Sequence, residues 1–399
     1  MKFDHCLSKQ PVDGQWSVID PIPDTQVDYM IIYFQKHNSV LFFIKFLAWL
    51  FVLLLMLEVF IRIFVIKSPY LHFISELGIV PLDYSVAVWG VEGYGVTHYL
   101  ENGEIITPRD SGLSVVVLGD SYTEALQVHD DQKYVSVAEN ILHERGHEMN
   151  LHNLGASGRC IADYVFIAPF VNRTYSPEVI VLQVSETDFM ESMDVSRQNY
   201  FAVRGNSIDL VRNENYYVFD LDLRNMLYGT GFGSLANYKL TPVIKEQRLR
   251  LAMAAASQTA EDFNDTSTSG GSVSDSSNDA ELNPAVFNSA MVQAQVNSLK
   301  QAYPHAKLVF FLIPNTPVVK SDILALRDDN GDLLAEMLDG LSDLPMMVYP
   351  QEEFVQLYTM QRKLPRGFFN TLPGVGHLNS DGNFAAGVAL ADYLEGIAR

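Results

Sequence analysis

The chain has 399 residues, 48% of them hydrophobic and 19% charged, with 27 Lys and Arg against 48 Asp and Glu and a formal net charge of -21. That balance excludes an electrostatic nucleic-acid binder, because affinity for phosphate backbones comes from clustered cations. The two cysteines, Cys6 and Cys160, lie far apart in no metal-ligand spacing, which argues against a disulfide framework or a zinc site.

Residues 1–38 read as a polar tail. From Val40 to Ile66 follows VLFFIKFLAWLFVLLLMLEVFIRIFVI, interrupted only by Lys45, Glu58 and Arg62. A helix over residues 39–66 is long enough to cross a hydrocarbon core of roughly 30 Å. Glu58 and Arg62 stand four apart, the spacing of an ion pair near one interface. Lys36 and Lys45 on one side balance Arg62 and Lys67 on the other, so the positive-inside rule leaves orientation open. Residues 67–112 show little periodicity and read as an irregular connector.

Beyond it the pattern alternates. Ser114–Leu118 is a β-branched run suited to a strand buried on both faces. A helix is expected over 122–145, strands over 148–154 and 179–184, and a helix over 161–172. Strands at 307–313 and 346–349 and helices at 284–303, 321–340 and 381–397 complete the series. This alternation predicts a doubly wound α/β domain over 113–399 around a mostly parallel five-stranded sheet. Residues 199–230 read as a hairpin insertion. Residues 257–283 are Ser-, Asp- and Gly-rich and are expected to be a disordered loop. Gly229–Gly233 reads as a flexible turn. The acidic cluster Glu186, Asp188, Glu191 and Asp194 reads as a solvated loop in preference to a cation site.

Gly119-Asp120-Ser121 closes the first core strand and opens a helix. Alone, such a tripeptide equally fits a turn with a helix cap. Placed at the carboxyl end of a central strand, the serine stands where open α/β sheets bind ligands, and its N–H can face an oxyanion. The block Val116–Val128 (VVLGDSYTEALQV) resembles the first block of the SGNH/GDSL hydrolase family. Asn153–Gly158 (NLGASG) is similar to that family's second block, and Gly376–Asn383 (GHLNSDGN) before the last helix is similar to its final one. The similarity spans about residues 113–397. It implies a flavodoxin-like sheet, Ser121 as nucleophile, His377 as base, and Ser121, Gly158 and Thr187 around the oxyanion.

Two positions depart from the family pattern. Thr187 stands where the family has an asparagine donor, and Gly374 stands where it has the acid, three residues before His377. Losing one oxyanion donor costs roughly 10²–10³ in kcat, and losing the orienting carboxylate can cost on the order of 10⁴. Asp188, Asp381, Glu352 and Glu353 are candidate replacement acids, and a Ser-His dyad oriented by a backbone carbonyl is the alternative.

The resulting expectation is a serine esterase or O-acetyl transferase that needs no metal or organic cofactor. The resemblance implies acyl esters of cell-envelope glycans or lipids as substrates, a single-pass bacterial inner-membrane location and a periplasmic catalytic domain. The rival reading is a catalytically impaired subunit that binds glycans or scaffolds an envelope assembly, favoured by Thr187 and Gly374.

Overall fold

A computed structural model describes residues 24–105, 112–205, 207–213, 220–240, 287–314, 317–320, 323–326, 329–341 and 346–398. The expected loop at 257–283 lies outside them. The chain divides into two compact units, Met1–Leu57 and Glu58–Arg399.

The first unit holds most of a helix, Asp24–Phe60, so part of the expected polar tail is helical. The helix ends in a π-helical turn, Ile61–Val65. Its Ser39–Val65 portion is 27 residues long, apolar enough to cross a membrane, and almost wholly exposed, with Trp49 at 75%.

In the second unit, strands Leu113–Leu118, Met149–Asn153, Val179–Val184, Lys307–Leu312 and Met346–Val348 form one parallel sheet in the order fifth, fourth, third, first, second. Alternate residues feed opposite cores. Val116, Leu118, Ile180 and Leu182 pack with Ile161, Tyr164 and Val171 of helix Ile161–Tyr175 and with Val292, Val296 and Leu299 of helix Ser289–Ala302. Val115, Val117, Val179 and Val181 face the other way. They meet Tyr134, Ala138 and Leu142 of helix Tyr134–Glu144 and Leu390 and Leu394 of helix Ser380–Ala398. Burial on both faces is why these strands are unbroken apolar runs, each such side chain contributing about 1.5–3 kcal/mol. Strand order reverses between the first and third strands, so the ends of both border the crevice where such sheets bind ligands.

Four expectations are corrected. The described residues of 67–112 are not irregular: Ile66–Lys67, Val86–Trp89 and Gly95–His98 form an antiparallel sheet, and Leu71–Ile74 pairs with Gly78–Pro81. The helix expected over 122–145 is broken into the single turn Ser121–Glu124, a 3-10 turn at Asp130–Gln132 and the helix Tyr134–Glu144, because Ala125 is left-handed at φ 47. Within 321–340, Ile323–Leu326 is a strand paired with Pro317–Lys320, and only Asp329–Asp339 is helical. The hairpin is present as Asn199–Arg204 and Ser207–Arg212, but Asp220–Tyr228 is a helix, and another covers 231–240.

Candidate active site

Ser121 sits on a tightly built turn. Gly119 precedes it because any Cβ there would stand 1.8 Å from Thr123 Oγ1. Asp120 caps the helical turn, accepting from the Tyr122 N–H at 2.8 Å. Gln183 on the third strand accepts from the Asp120 N–H and from the Thr123 hydroxyl, both at 3.2 Å, and so ties the turn to the neighbouring strand. At the other end the fully buried Lys133 ammonium donates to the carbonyls of Glu124 (2.7 Å) and Ala125 (2.8 Å) and to Thr97 Oγ1 (2.9 Å). These bonds satisfy carbonyls that the end of a short helix leaves orphaned.

His377 lies on the loop before the last helix, with Nε2 3.0 Å from Ser121 Oγ. Its Nδ1 is 2.7 Å from Glu92 Oε2, and its backbone N–H donates to Glu92 Oε1 at 2.7 Å. A ring proton on Nδ1 donates to Glu92 and leaves Nε2 to accept from the Ser121 hydroxyl. Ser121, His377 and Glu92 thus form one continuous hydrogen-bonded line. Gly376 makes the approach feasible: its φ is +88, and a Cβ there would lie 2.1 Å from Glu92 Oε1.

The carboxylate at His377 is therefore Glu92, not one of the acids expected from sequence. Asp381 pairs with Lys363 at 2.7 Å on the surface. Asp188 is buried and accepts from the Ser185 N–H (2.7 Å) and hydroxyl (2.9 Å). Glu352 accepts from Gln356 at 3.3 Å, and Glu353 lies beside it on the helix Gln351–Gln361. Glu92 comes from the supposed connector, at the tip of the hairpin joining Val86–Trp89 to Gly95–His98. The signal for it was an acid bracketed by glycines in Gly90-Val91-Glu92-Gly93-Tyr94-Gly95, between two apolar runs.

Further side chains, none of them anticipated, hold the two loops together. Asn370 accepts from the Gly93 N–H (2.8 Å) and donates to the carbonyls of Gly90 (2.9 Å) and Gly93 (3.2 Å). The buried Arg366 donates to the carbonyls of Gly376 and Pro314, both at 2.6 Å, and to Tyr122 Oη at 2.5 Å. Its guanidinium lies 4.9 Å from the centre of the Tyr122 ring, which in turn stands 5.1 Å from the His377 ring. Gln127, almost fully buried, bonds Glu92 through its side chain.

Burial works against the charged form of Glu92, but the hydrogen bonds and charge of His377, with Gln127, outweigh it and hold the carboxyl below the usual glutamate range. Burial pushes Asp120 up to about 6. It also raises Asp188, and the nearby Asp120 charge raises it further. Cys160 is pushed up to about 12 by burial and is no competing nucleophile.

Of the expected oxyanion residues, Ser121 opens the turn Ser121–Glu124, Gly158 lies on a loop, and Thr187 lies on a short helix, Glu186–Glu191, where a solvated loop was expected. Gly155–Gly158 follows the second strand and is fixed by Ala156 N–H to Gly119 O (3.0 Å) and Ser157 N–H to Glu124 Oε2 (2.9 Å). Gly158 is left-handed at φ +80, and its carbonyl accepts from Arg197. Thr187 is exposed, its hydroxyl 2.7 Å from that of Ser185. Glu191 pairs with Arg197, and no His, Cys, Asp and Glu grouping among the described residues is arranged to hold a metal ion.

No protein-family model matches the sequence, and no curated protein matches it. Among solved structures, the chain is similar to a member of the lipolytic protein G-D-S-L family from Veillonella parvula, with 10% identity, a TM-score of 0.35, and coverage of 71% of this chain and 99% of that one. It is also similar to an acetylxylan esterase from Geobacillus stearothermophilus, with 10% identity, a TM-score of 0.34, and coverage of 72% and 95%. A third is a family 3 carbohydrate esterase of Clostridium thermocellum, with 11% identity, a TM-score of 0.35, and coverage of 72% and 98%. At such identities the α/β fold rests on the strand order and registers of the chain itself.

Proposed function

We propose that this chain is a membrane-anchored serine hydrolase or acyl transferase acting on ester-linked acyl groups, with Ser121 as nucleophile, His377 as base and Glu92 as the carboxylate that orients it. One observation carries the reading: the unbroken line from Ser121 Oγ through His377 Nε2 and Nδ1 to Glu92, at 3.0 and 2.7 Å. A serine hydroxyl is a weak nucleophile at neutral pH until a base takes its proton, and neutral imidazole titrates in the right range. As Ser121 Oγ bonds to the ester carbonyl carbon, its proton passes to His377 Nε2. The carbonyl oxygen becomes an oxyanion, for which the Ser121 and Gly158 N–H groups and the Thr187 hydroxyl are the assigned donors. Collapse breaks the ester bond, and the leaving alkoxide takes the proton back from His377. Water or an acceptor hydroxyl then repeats the sequence on the acyl-enzyme, which separates hydrolysis from transfer.

Ser39–Val65 is the anchor in this reading, in a bacterial inner membrane with the catalytic domain in the periplasm. The proposed substrates are small acyl esters, acetyl above all, of envelope glycans or lipids. Full-length protein in detergent or nanodiscs should hydrolyse p-nitrophenyl acetate and react with a fluorophosphonate probe at Ser121. Both signals should fall to background in Ser121→Ala, and in His377→Ala by about 10³-fold or more. Equal rates in all three proteins, with no labelling, would sink the enzyme and favour the scaffold that Thr187 suggests.

A further inference from the structure

The glycine-rich stretch 229–233 is not a loose turn. It is closed against the final turns of the anchor helix. Glu58 Oε1 accepts from the Gly231 N–H at 2.6 Å and Oε2 from the Phe232 N–H at 3.0 Å, at the start of the helix over 231–240. Arg62 donates to the Gly229 carbonyl at 2.8 Å and stands 3.5 Å from Glu58. Gly231 must lack a side chain, since a Cβ would meet Arg62 Cγ at 2.8 Å and Ile61 Cγ2 at 3.0 Å. Asn225, on helix Asp220–Tyr228, bonds both the N–H (2.8 Å) and the carbonyl (2.7 Å) of Leu71. The turn between the two helices is therefore fastened at Glu58 and Arg62, roughly 10 and 5 Å before the end of Ser39–Val65, and the first helix is fastened at Leu71 just beyond it.

Each helix exposes large apolar side chains, beside the exposed Asp222 and Lys239. Leu223 and Met226, three residues apart, are 44% and 69% exposed, and Phe232 and Leu240 are 40% and 52% exposed, with exposed Ala236 midway between them. Those spacings place each set on one side of its helix. Phe60, Ile63 and Phe64, on the turns that the pair grips, are also exposed. Charges inside a span are costly unless paired, and here Glu58 and Arg62 are met by each other and by three backbone groups.

We propose that helices 220–228 and 231–240 are a second membrane contact, a helical hairpin lying in the headgroup and acyl boundary through Leu223, Met226, Phe232 and Leu240. The lipid bilayer is the occupant because the hairpin is continuous with the stretch that is itself long and apolar enough to span one. This rests on reading Ser39–Val65 as the anchor.

The test uses the full chain, with Cys6→Ser and Cys160→Ala, reconstituted in phosphatidylethanolamine and phosphatidylglycerol vesicles. Single cysteines replace Met226, Phe232, Leu53 at mid-span, or the exposed Glu144 near the opposite, amino-terminal edge of the sheet, and each carries an NBD label. Shallow nitroxide lipids should quench labels at 226 and 232 at least threefold more than at 144, while deep nitroxides quench 53 most. Quenching at 53 with labels at 226 and 232 no more quenched than at 144 overturns the hairpin contact and leaves the anchor standing. Labels at 226 and 232 that blue-shift without lipid quenching indicate a second copy of the chain and also overturn it. Absence of quenching at 53 overturns the anchor and the hairpin together.

Discussion

The Ser121 turn and the Glu92 hairpin contribute to one hydrogen-bonded line but are built in opposite ways. Gly119, Asp120, Ser121 and Thr123 lie within five residues, and their main outside ties run to Gln183 on an adjoining strand and to nearby Lys133. Glu92 reaches His377 across 285 residues and is held by a different, antiparallel element. A local motif carries its geometry with it, whereas a distant one must be positioned by loop contacts that are individually weak.

The comparison breaks most sharply at the acid. Glu92→Gln should lower kcat for p-nitrophenyl acetate by about 10²–10⁴-fold, while Asp381→Asn stays within about twofold of wild type. Parity of the two variants would remove Glu92 from the mechanism. Gly376→Ala comes next, since its Cβ would strike Glu92 at 2.1 Å at a residue already in the left-handed region. We expect a loss of about tenfold or more in kcat, because displacements near 1 Å are that damaging. Asn370→Ala removes three bonds between the Glu92 and His377 loops. It should cost about 1–3 kcal/mol in a denaturant titration and lower kcat less than Glu92→Gln does.

The smallest effect is in pH dependence. Glu92 is held below its ordinary value, so its contribution to stability is fully present above that value and is lost as pH falls through the folded one. Wild type should exceed Glu92→Gln in Tm above the ordinary glutamate range, and the gap should narrow as pH falls below it. A gap that widened on acidification would show that the carboxyl is not charged in the folded state.

Much of this was legible in the sequence. The core strands announce themselves because burial on both faces demands continuous β-branched runs, and Ser121 and His377 each sit in a local block with its own turn residues. The pattern over 122–145 looks like one helix because its single left-handed interruption, Ala125, is held by a lysine eight residues on. Glu92 is hard to find because the glycines around it mark only a turn, while its partner His377 lies 285 residues away. Gly229–Gly233 was read as looseness when Gly231 in fact permits close contact, a distinction that only the neighbouring chain reveals.

The hairpin that presents Glu92 begins where the apolar Ser39–Val65 segment ends: the Gly90 N–H donates to Val65 O at 2.7 Å, and Tyr94 Oη donates to Ile63 O at 3.0 Å. An expression fragment trimmed to the parallel-sheet domain, starting near residue 113, would retain Ser121 and His377 and lack their carboxylate. Proteolytic release from the membrane by cleavage after Glu92 would likewise separate that acid from the covalent chain of the freed part. In the proposed enzyme, competence is thus tied to the segment before residue 113, and a fragment that omits Glu92 is the wrong specimen in which to look for its activity.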